Sequence, residues 1–139
     1  MKKLFGIMLG FGLLAGCGGG MELGPRGEFR MPITTVTMLA NGDEYLLQGF
    51  IFPLTNFGAN FEMETPDGTT CSGTTTPKGE GFMTCSDGLE IPIDIPTDKY
   101  GRPSGSYAAP NAAGTITAVG WGNESDIDFV RSLLASSGA

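Results

Sequence analysis

Apolar positions along this chain alternate with polar ones in short runs, which is the period of β-strands with one buried face. The clearest run is formed by Leu89, Ile91, Ile93 and Ile95. Pro92 interrupts it, and because proline has no backbone N–H to pair with a neighbouring strand, this strand is restricted to a sheet edge or a bulge. The same pattern predicts strands at 33–38, 45–52, 59–65, 69–76, 81–86 and 115–121.

Turn residues separate these runs and favour consecutive hairpins. Asn41-Gly42 follows the first run and Pro66-Asp67-Gly68 follows the third, where glycine supplies the positive φ of a tight turn. The chain has 23 glycines and 9 prolines but is 40% hydrophobic, so it is typical of many short strands and not of disorder. Residues 96–113 are polar and rich in turn residues, and predict a loop.

A helical period appears only towards the C-terminal end. An apolar stripe at helical spacing is formed there by Ile127, Val130, Leu133 and Leu134. The pattern predicts a helix over 125–136 with Ser125 as the N-cap and with its apolar stripe covering the sheet. We therefore predict a mostly β fold, a small antiparallel β-barrel or sandwich of about seven or eight strands with one C-terminal helix.

The N-terminal residues have a different character. Two lysines precede an uncharged apolar run from 4 to 14, which is too short to span a bilayer. The following Leu14-Ala15-Gly16-Cys17 resembles the lipobox of bacterial lipoproteins, in which a peptidase cuts before a cysteine that carries diacylglycerol. The resemblance implies that residues 1–16 are a signal peptide and that Cys17 is the lipid attachment site. The alternatives are an ordinary secretory signal cut after Gly16 and an uncleaved anchor helix.

The residues after Cys17 predict how the domain is held. Residues 17–28 contain glycine and proline and are expected to form a flexible tether spanning about 20 Å, which leaves 29–139 as one domain. Gly18 follows the cysteine, and in enteric-type sorting such a residue is compatible with the outer membrane. We expect a lipid-anchored protein of the cell envelope that faces the periplasm, with the membrane as a partner through the three acyl chains that the resemblance implies on Cys17.

Charge and composition exclude several kinds of chemistry. After residue 16 the chain has six basic and fifteen acidic residues, a formal net charge of −9, and its basic residues are not clustered. Nucleic acid is therefore excluded as a partner. The chain has no histidine, which excludes Ser-His-Asp and Cys-His catalysis and His-ligated metals. We expect neither a metal nor a cofactor.

Cys71 and Cys85 lie symmetrically about residue 78, which is inside the turn sequence 77–81. A hairpin that reverses there places the two cysteines directly opposite each other, about 4.5–5.5 Å apart at Cα and within disulfide range. In an oxidising envelope compartment we expect a disulfide that adds about 3 kcal/mol of stability. The alternative is a redox or metal-binding pair, which the thirteen-residue spacing disfavours.

The segment around these cysteines, residues 67–88, has the pattern Cys-x-Gly followed by Cys-x-Asp-Gly. It resembles a hairpin of small exported proteins and lipoproteins of Gram-negative bacteria, many of them uncharacterised. This resemblance implies a β-rich envelope domain and transfers no catalytic residue.

The remaining candidates for chemistry are carboxylate pairs and aromatic residues. The pairs are Glu62 with Glu64, Glu90 with Asp94, and Asp126 with Asp128, and each is typical of a solvated face. An open barrel would have a cavity lined by Phe50, Phe52, Phe57, Phe61 and Trp121. The alternative is that these aromatic residues are ordinary core side chains.

These residues lead us to expect a non-catalytic binding or scaffolding module of the envelope, with an envelope protein as a candidate partner. The alternatives are a carboxylate-dependent hydrolase of envelope glycans or lipids, and a carrier of a small apolar ligand.

Overall fold

Nine antiparallel strands form one sheet in the computed structural model, which describes residues 21–110 and 115–137. They are β1 (Glu22–Leu23), β2 (Phe29–Met38), β3 (Glu44–Pro53), β4 (Ala59–Glu64), β5 (Thr70–Thr75), β6 (Glu80–Cys85), β7 (Glu90–Asp94), β8 (Gly105–Pro110) and β9 (Ile116–Trp121). A 3-10 turn at Gly122–Glu124 leads into helix α1 (Ile127–Ser136). The predicted fold class, a small mostly β domain with one C-terminal helix, is confirmed.

The sheet curls into a half-barrel that stays open along one side. Its strand order is β7-β6-β5-β4-β3-β2-β9-β8, with β1 paired to the start of β2. The two ends of this order, β7 and β8, are therefore the edges of the opening. Pro92 lies in β7, which confirms the prediction that its strand is at an edge.

Side-chain alternation divides the sheet into a buried concave face and a mostly polar convex face. Ile33, Leu47, Phe61 and Trp121 belong to the buried core of the concave face. Strand β2 is buried on both faces because α1 covers its convex side. There, the helix residues Val130 and Leu134 form a second buried cluster with Val36 and Ala118, which confirms that the apolar stripe of the helix covers the sheet.

Six of the described turns share one hydrogen-bond pattern, in which the first residue donates its N–H to the carbonyl of the fifth and the fourth donates to the first. The fourth residue has positive φ in each of them. It is glycine in five turns, namely Gly27, Gly42, Gly68, Gly79 and Gly88. The turns predicted at Asn41-Gly42 and Pro66-Asp67-Gly68 are confirmed.

The prediction of a loop over 96–113 is wrong for Gly105–Pro110, which forms β8 and pairs with β9 along its length. Its sequence, GSYAAP, has a single large apolar side chain and so has no visible hydrophobic alternation. The strand forms because β9 provides backbone hydrogen-bond partners along its length. These partners belong to another strand, so the local sequence pattern does not predict β8.

The predicted N-cap is also wrong by one residue. Helix α1 is capped by Asp126, whose Oδ2 accepts a hydrogen bond from the Phe129 N–H at 3.0 Å. Ser125 instead bridges to the sheet, since its carbonyl accepts a 2.6 Å hydrogen bond from the Thr34 hydroxyl. The hydrogen bond that joins the chain to β2 therefore lies just before the first residue of the helix.

The predicted tether, 17–28, lies only partly within the described residues, and Cys17 and the lipobox lie outside them. Its described portion contains β1, in which Glu22 and Leu23 pair with Arg30 and Phe29 of β2. This portion is thus a short hairpin folded onto the domain. Across residues 21–110 and 115–137, no helix combines the length and the hydropathy needed to cross a membrane.

Candidate binding trough on the concave face

The Cys71–Cys85 disulfide closes the β5–β6 hairpin at the floor of the concave face. The cysteines are direct cross-strand partners and their Cα atoms are 3.9 Å apart, which confirms the predicted pairing. Ser86 donates its N–H to the Thr70 carbonyl at 2.8 Å, so the adjacent cysteine pair is a non-hydrogen-bonded one, the closer of the two kinds. Both cysteines are buried and belong to the core, which makes the bridge structural.

The concave face forms a trough with two cavities, which share the side chains of Phe61 and Ile95. We call the first the inner cavity; it lies between the edge strands β7 and β8 and has a volume of about 260 Å³. We call the second the end cavity; it lies where β3 meets β4 and has a volume of about 310 Å³. Both are lined mainly by apolar side chains.

The inner cavity takes its walls from both sides of the opening. The β7 side supplies Ile91 and Ile93, and the β8–β9 side supplies Tyr107 and Val119. Burial raises the pKa of the Tyr107 hydroxyl to about 12, and the charge of Asp94 on the opposite edge adds to the shift. Tyr107 therefore stays protonated to higher pH than an exposed tyrosine, and with Thr35, Thr117 and Asp94 it is one of the polar residues in a mainly apolar lining.

The end cavity is bordered by a loop whose polar groups are hydrogen-bonded to the sheet. Trp121 donates its indole N–H to the Arg102 carbonyl at 2.9 Å. The Tyr100 hydroxyl donates to the Phe57 carbonyl at 2.8 Å and lies 3.1 Å from the Thr75 hydroxyl. These bonds fix the loop over the end of the sheet, and the walls that face the cavity are mainly apolar.

The predicted aromatic lining is confirmed for Phe57, Phe61 and Trp121, all of which line the end cavity. It is wrong for Phe50 and Phe52. These two alternate with the inward-facing Ile51 of β3 and so lie on the convex face, where their ring centroids are 6.4 Å apart.

Phe50 has a second contact on the convex face. The Arg30 guanidinium lies 3.9 Å from its ring centroid and forms a 2.9 Å ion pair with Glu22, so this ring faces charge and not a ligand cavity.

The predicted carboxylate pairs lie outside the trough or at its rim. Glu62 and Glu64 are exposed on the convex face beside an open groove. Asp94 is exposed at the rim of the inner cavity, on the same face of edge strand β7 as Glu90.

The third pair is used by the helix. Asp126 caps α1, and Asp128 is exposed at 4.0 Å from Arg131. Within residues 21–110 and 115–137, no group of three or more Cys, Asp or Glu side chains is arranged to hold a metal ion.

Sequence reasoning missed Tyr100 and Tyr107 as site residues. Each stands alone in a polar, turn-rich segment, so the hydrophobic period did not select it. The usable signal was the residue type, since a tyrosine among turn residues supplies apolar area together with a hydroxyl that seeks a partner. No protein-family model, curated protein or solved structure matches this chain.

Proposed function

We propose that this protein is a lipid-anchored cell-envelope lipoprotein whose β domain is a non-catalytic binding module, with the concave trough as its binding surface. The anchor is the lipid on Cys17, and the location is the periplasmic face of the outer membrane. One observation supports the binding role above the others: the apolar concave face is open between edge strands β7 and β8.

An open apolar trough needs an explanation because burial of apolar surface stabilises a fold by roughly 25 cal/mol per Å². Closing the barrel, or packing a second sheet on this face, would gain that stabilisation. The chain instead keeps two mainly apolar cavities with a few polar residues in their lining, such as Tyr107 and Thr117. That combination is typical of ligand-binding pockets.

A carrier of a small apolar ligand is the second candidate. Its support is the volume of the two cavities, about 260 and 310 Å³, which lies at the lower end of the range of roughly 300–1,000 Å³ for ligand pockets. A carrier and a scaffold would use the same trough, and they differ in whether a small molecule or a protein segment fills it.

The hydrolase alternative has weaker support. A catalytic carboxylic acid needs burial or a nearby charge to raise its pKa towards neutrality. The pair nearest a cavity, Glu90 and Asp94, is exposed on edge strand β7 at the rim of the inner cavity. Glu62 and Glu64 are exposed on the convex face, on the opposite side of the sheet from the cavities. The binding role therefore agrees better with the arrangement of the side chains.

The proposal is tested with a fluorescent fatty acid, dansylaminoundecanoic acid, added to the lipidated protein in phospholipid nanodiscs. Trp121 is the single tryptophan of the chain and lines the end cavity, so energy transfer from Trp121 to the dansyl group reports a ligand in the trough. We expect saturable transfer that unlabelled fatty acid displaces.

Two variants separate trough binding from partition into the lipid. Ala109→Phe fills the inner cavity and should weaken the probe's binding, whereas Thr84→Phe adds the same ring to the exposed convex face and should not. Energy transfer that rises linearly with the concentration of the fluorescent fatty acid, and that is equal in both variants, would contradict the carrier function. Crosslinking from the trough in native membranes then decides whether a protein segment occupies it.

A further inference from the structure

We propose that one end of the half-barrel docks directly on an anionic lipid bilayer, with the tip of the β3–β4 turn inserted into the membrane interface. We call it the basal end and define it by the turns 24–28, 54–58 and 76–80 and the loop 95–104. The opposite, acidic end is defined by the turns 39–43, 65–69 and 85–89. This inference rests on the lipid anchor of the proposed function and adds an orientation to it.

The position of the chain start identifies the end that is near the membrane. The first described residue, Met21, lines the end cavity together with Leu54 and Phe57 of the basal end. Cys17 precedes it by four residues, a length of chain that reaches at most about 14 Å. A lipid on Cys17 therefore keeps Met21, which contacts the basal end, within about this distance of the bilayer surface.

Exposed apolar side chains are concentrated at this end. Phe57 is 80% exposed at the tip of the β3–β4 turn, and the cross-strand neighbours Leu23 and Phe29 are 64% and 61% exposed. At the acidic end, the exposed large apolar side chain within the described residues is Leu89, at 43%. An apolar tip beside a lipid anchor matches the interfacial region of a membrane, where aromatic rings are favoured.

The backbone at Phe57 supports a role for its exposed ring. Phe57 has φ of 69° at the turn position that glycine occupies in the five equivalent turns, and a bulky residue is strained there. Its carbonyl is held by the Tyr100 hydroxyl, so the strained residue is fixed in place. The turn thus carries strain and still leaves most of the ring in solvent, a combination that the folding of the domain does not require.

The charge distribution also favours docking at the basal end. Its turns and loop carry Arg26, Lys78, Lys99 and Arg102, four of the six basic residues that follow residue 16, together with Glu28, Glu80 and Asp98. The turns of the acidic end carry Asp43, Asp67 and Asp87, and no basic residue among those described. An anionic bilayer would repel that end and attract the basic side chains of the other.

Four further carboxylates lie near the basal end. Glu22 forms an ion pair with Arg30, Glu124 accepts a 2.7 Å hydrogen bond from the Ser106 hydroxyl, and Asp126 caps α1. Asp94, the cross-strand partner of Glu80, is exposed.

The test measures the depth of two matched turn positions in the membrane. Asn56→Cys and Asp67→Cys place a thiol at the third residue of equivalent turns at the two ends, where each native side chain accepts a backbone N–H two residues ahead. The lipidated protein is labelled there with bimane in vesicles of phosphatidylcholine and phosphatidylglycerol containing doxyl-labelled lipid. We expect bimane fluorescence to be lost at 56 and retained at 67.

The controls separate docking from anchoring and from folding. Phe57→Gly removes the ring and the backbone strain together and should reduce the quenching at 56, whereas Leu89→Ser removes an exposed apolar side chain from the acidic end and should not. Vesicles of phosphatidylcholine alone should also give less quenching at 56. Equal quenching at 56 and 67, or none at 56 in protein that floats with the vesicles, would overturn the docking; failure to float would overturn the anchor itself.

Discussion

At the scale of residues, a few side chains determine the geometry of the turns, the pairing of the strands and the lining of the cavities. Phe57 occupies the turn position that glycine occupies in five other turns of the same geometry. Among the described residues, Phe57 is the one non-glycine residue with positive φ. Cys71 and Cys85 form a covalent cross-strand pair between β5 and β6. Tyr107 is a polar residue in a mainly apolar cavity lining. Each of these features has a measurable consequence.

Phe57→Gly is expected to raise the free energy of unfolding by up to about 1 kcal/mol. The left-handed conformation costs a residue with a Cβ roughly 1–2 kcal/mol, and glycine gives back part of that gain through its greater freedom in the unfolded chain. Urea denaturation measures the change, with Phe57→Ala as the control that removes the ring and keeps the strain. A loss of stability would show instead that the ring packs usefully against the end cavity.

Cys71→Ser is expected to lower the free energy of unfolding by roughly 2–5 kcal/mol, because the unfolded chain gains the freedom of a loop of about 15 residues. The double variant Cys71→Ala with Cys85→Ala avoids an unpaired thiol and should lose a similar amount. Thermal unfolding with and without reductant provides the measurement. An unchanged midpoint would mean that the core alone holds the hairpin.

Tyr107 predicts a loss of stability at alkaline pH. Its pKa is raised to about 12 in the folded state by burial and by Asp94, against about 10 in the unfolded chain. Because the folded pKa is the higher one, its contribution is fully present below pH 10 and is lost as the pH rises towards 12, by at most about 3 kcal/mol. Urea unfolding at pH 9 to 12 checks this, and Tyr107→Phe should remove that part of the slope.

At the scale of elements, the strands with one buried face are predicted by their own alternation of apolar and polar residues. Where that alternation is absent, a strand forms because a neighbouring strand supplies its hydrogen-bond partners. The cysteine register, with Cys71 opposite Cys85, follows from the symmetry of the hairpin. Strand β8 exists because β9 supplies its backbone partners. The tight curl of the sheet depends on small residues on the concave face, such as Gly73, where an added Cβ would lie 1.9 Å from the Phe82 carbonyl oxygen.

Gly73→Ala should therefore destabilise the domain by roughly 1–3 kcal/mol, since the overlap is with backbone and forces β5 and β6 apart. Ser72→Ala is the matched control, because Ser72 is the adjacent residue of β5 and its side chain is exposed on the convex face. The midpoint of urea unfolding compares the two. Equal stability would indicate that the curl can relax around a methyl group.

At the scale of the whole molecule, the half-barrel has two different ends and an open side. The lipid attachment predicted at Cys17 would join the basal end, and the trough opens between β7 and β8, away from the face that α1 covers. In our proposal the domain is thus held by one end and binds along its side.

Cys17→Ser is expected to block lipidation, so that the precursor is retained uncleaved or the protein leaves the membrane fraction. Mass spectrometry of the N-terminal peptide of the native protein provides the measurement: it should begin at Cys17 and carry acyl chains. An unmodified N-terminus would contradict the lipoprotein interpretation. Phe57→Gly is a suitable control, since it alters the docking surface and leaves the attachment site intact.

The sequence by itself determined the features that depend on local chemistry. Period-two alternation located most strands because one face of each is buried, and glycine located the turns because few other residues tolerate positive φ. The disulfide followed from the equal spacing of Cys71 and Cys85 about their turn.

The tertiary structure alone decided what depends on partners distant in sequence. These features are the strand β8 and the opening beside it, the outward position of Phe50 and Phe52, and the enclosure of Tyr107 within an apolar wall. Each depends on which strand lies next to which, and a local pattern carries no information about that choice because the free energy that selects it comes from long-range packing and pairing.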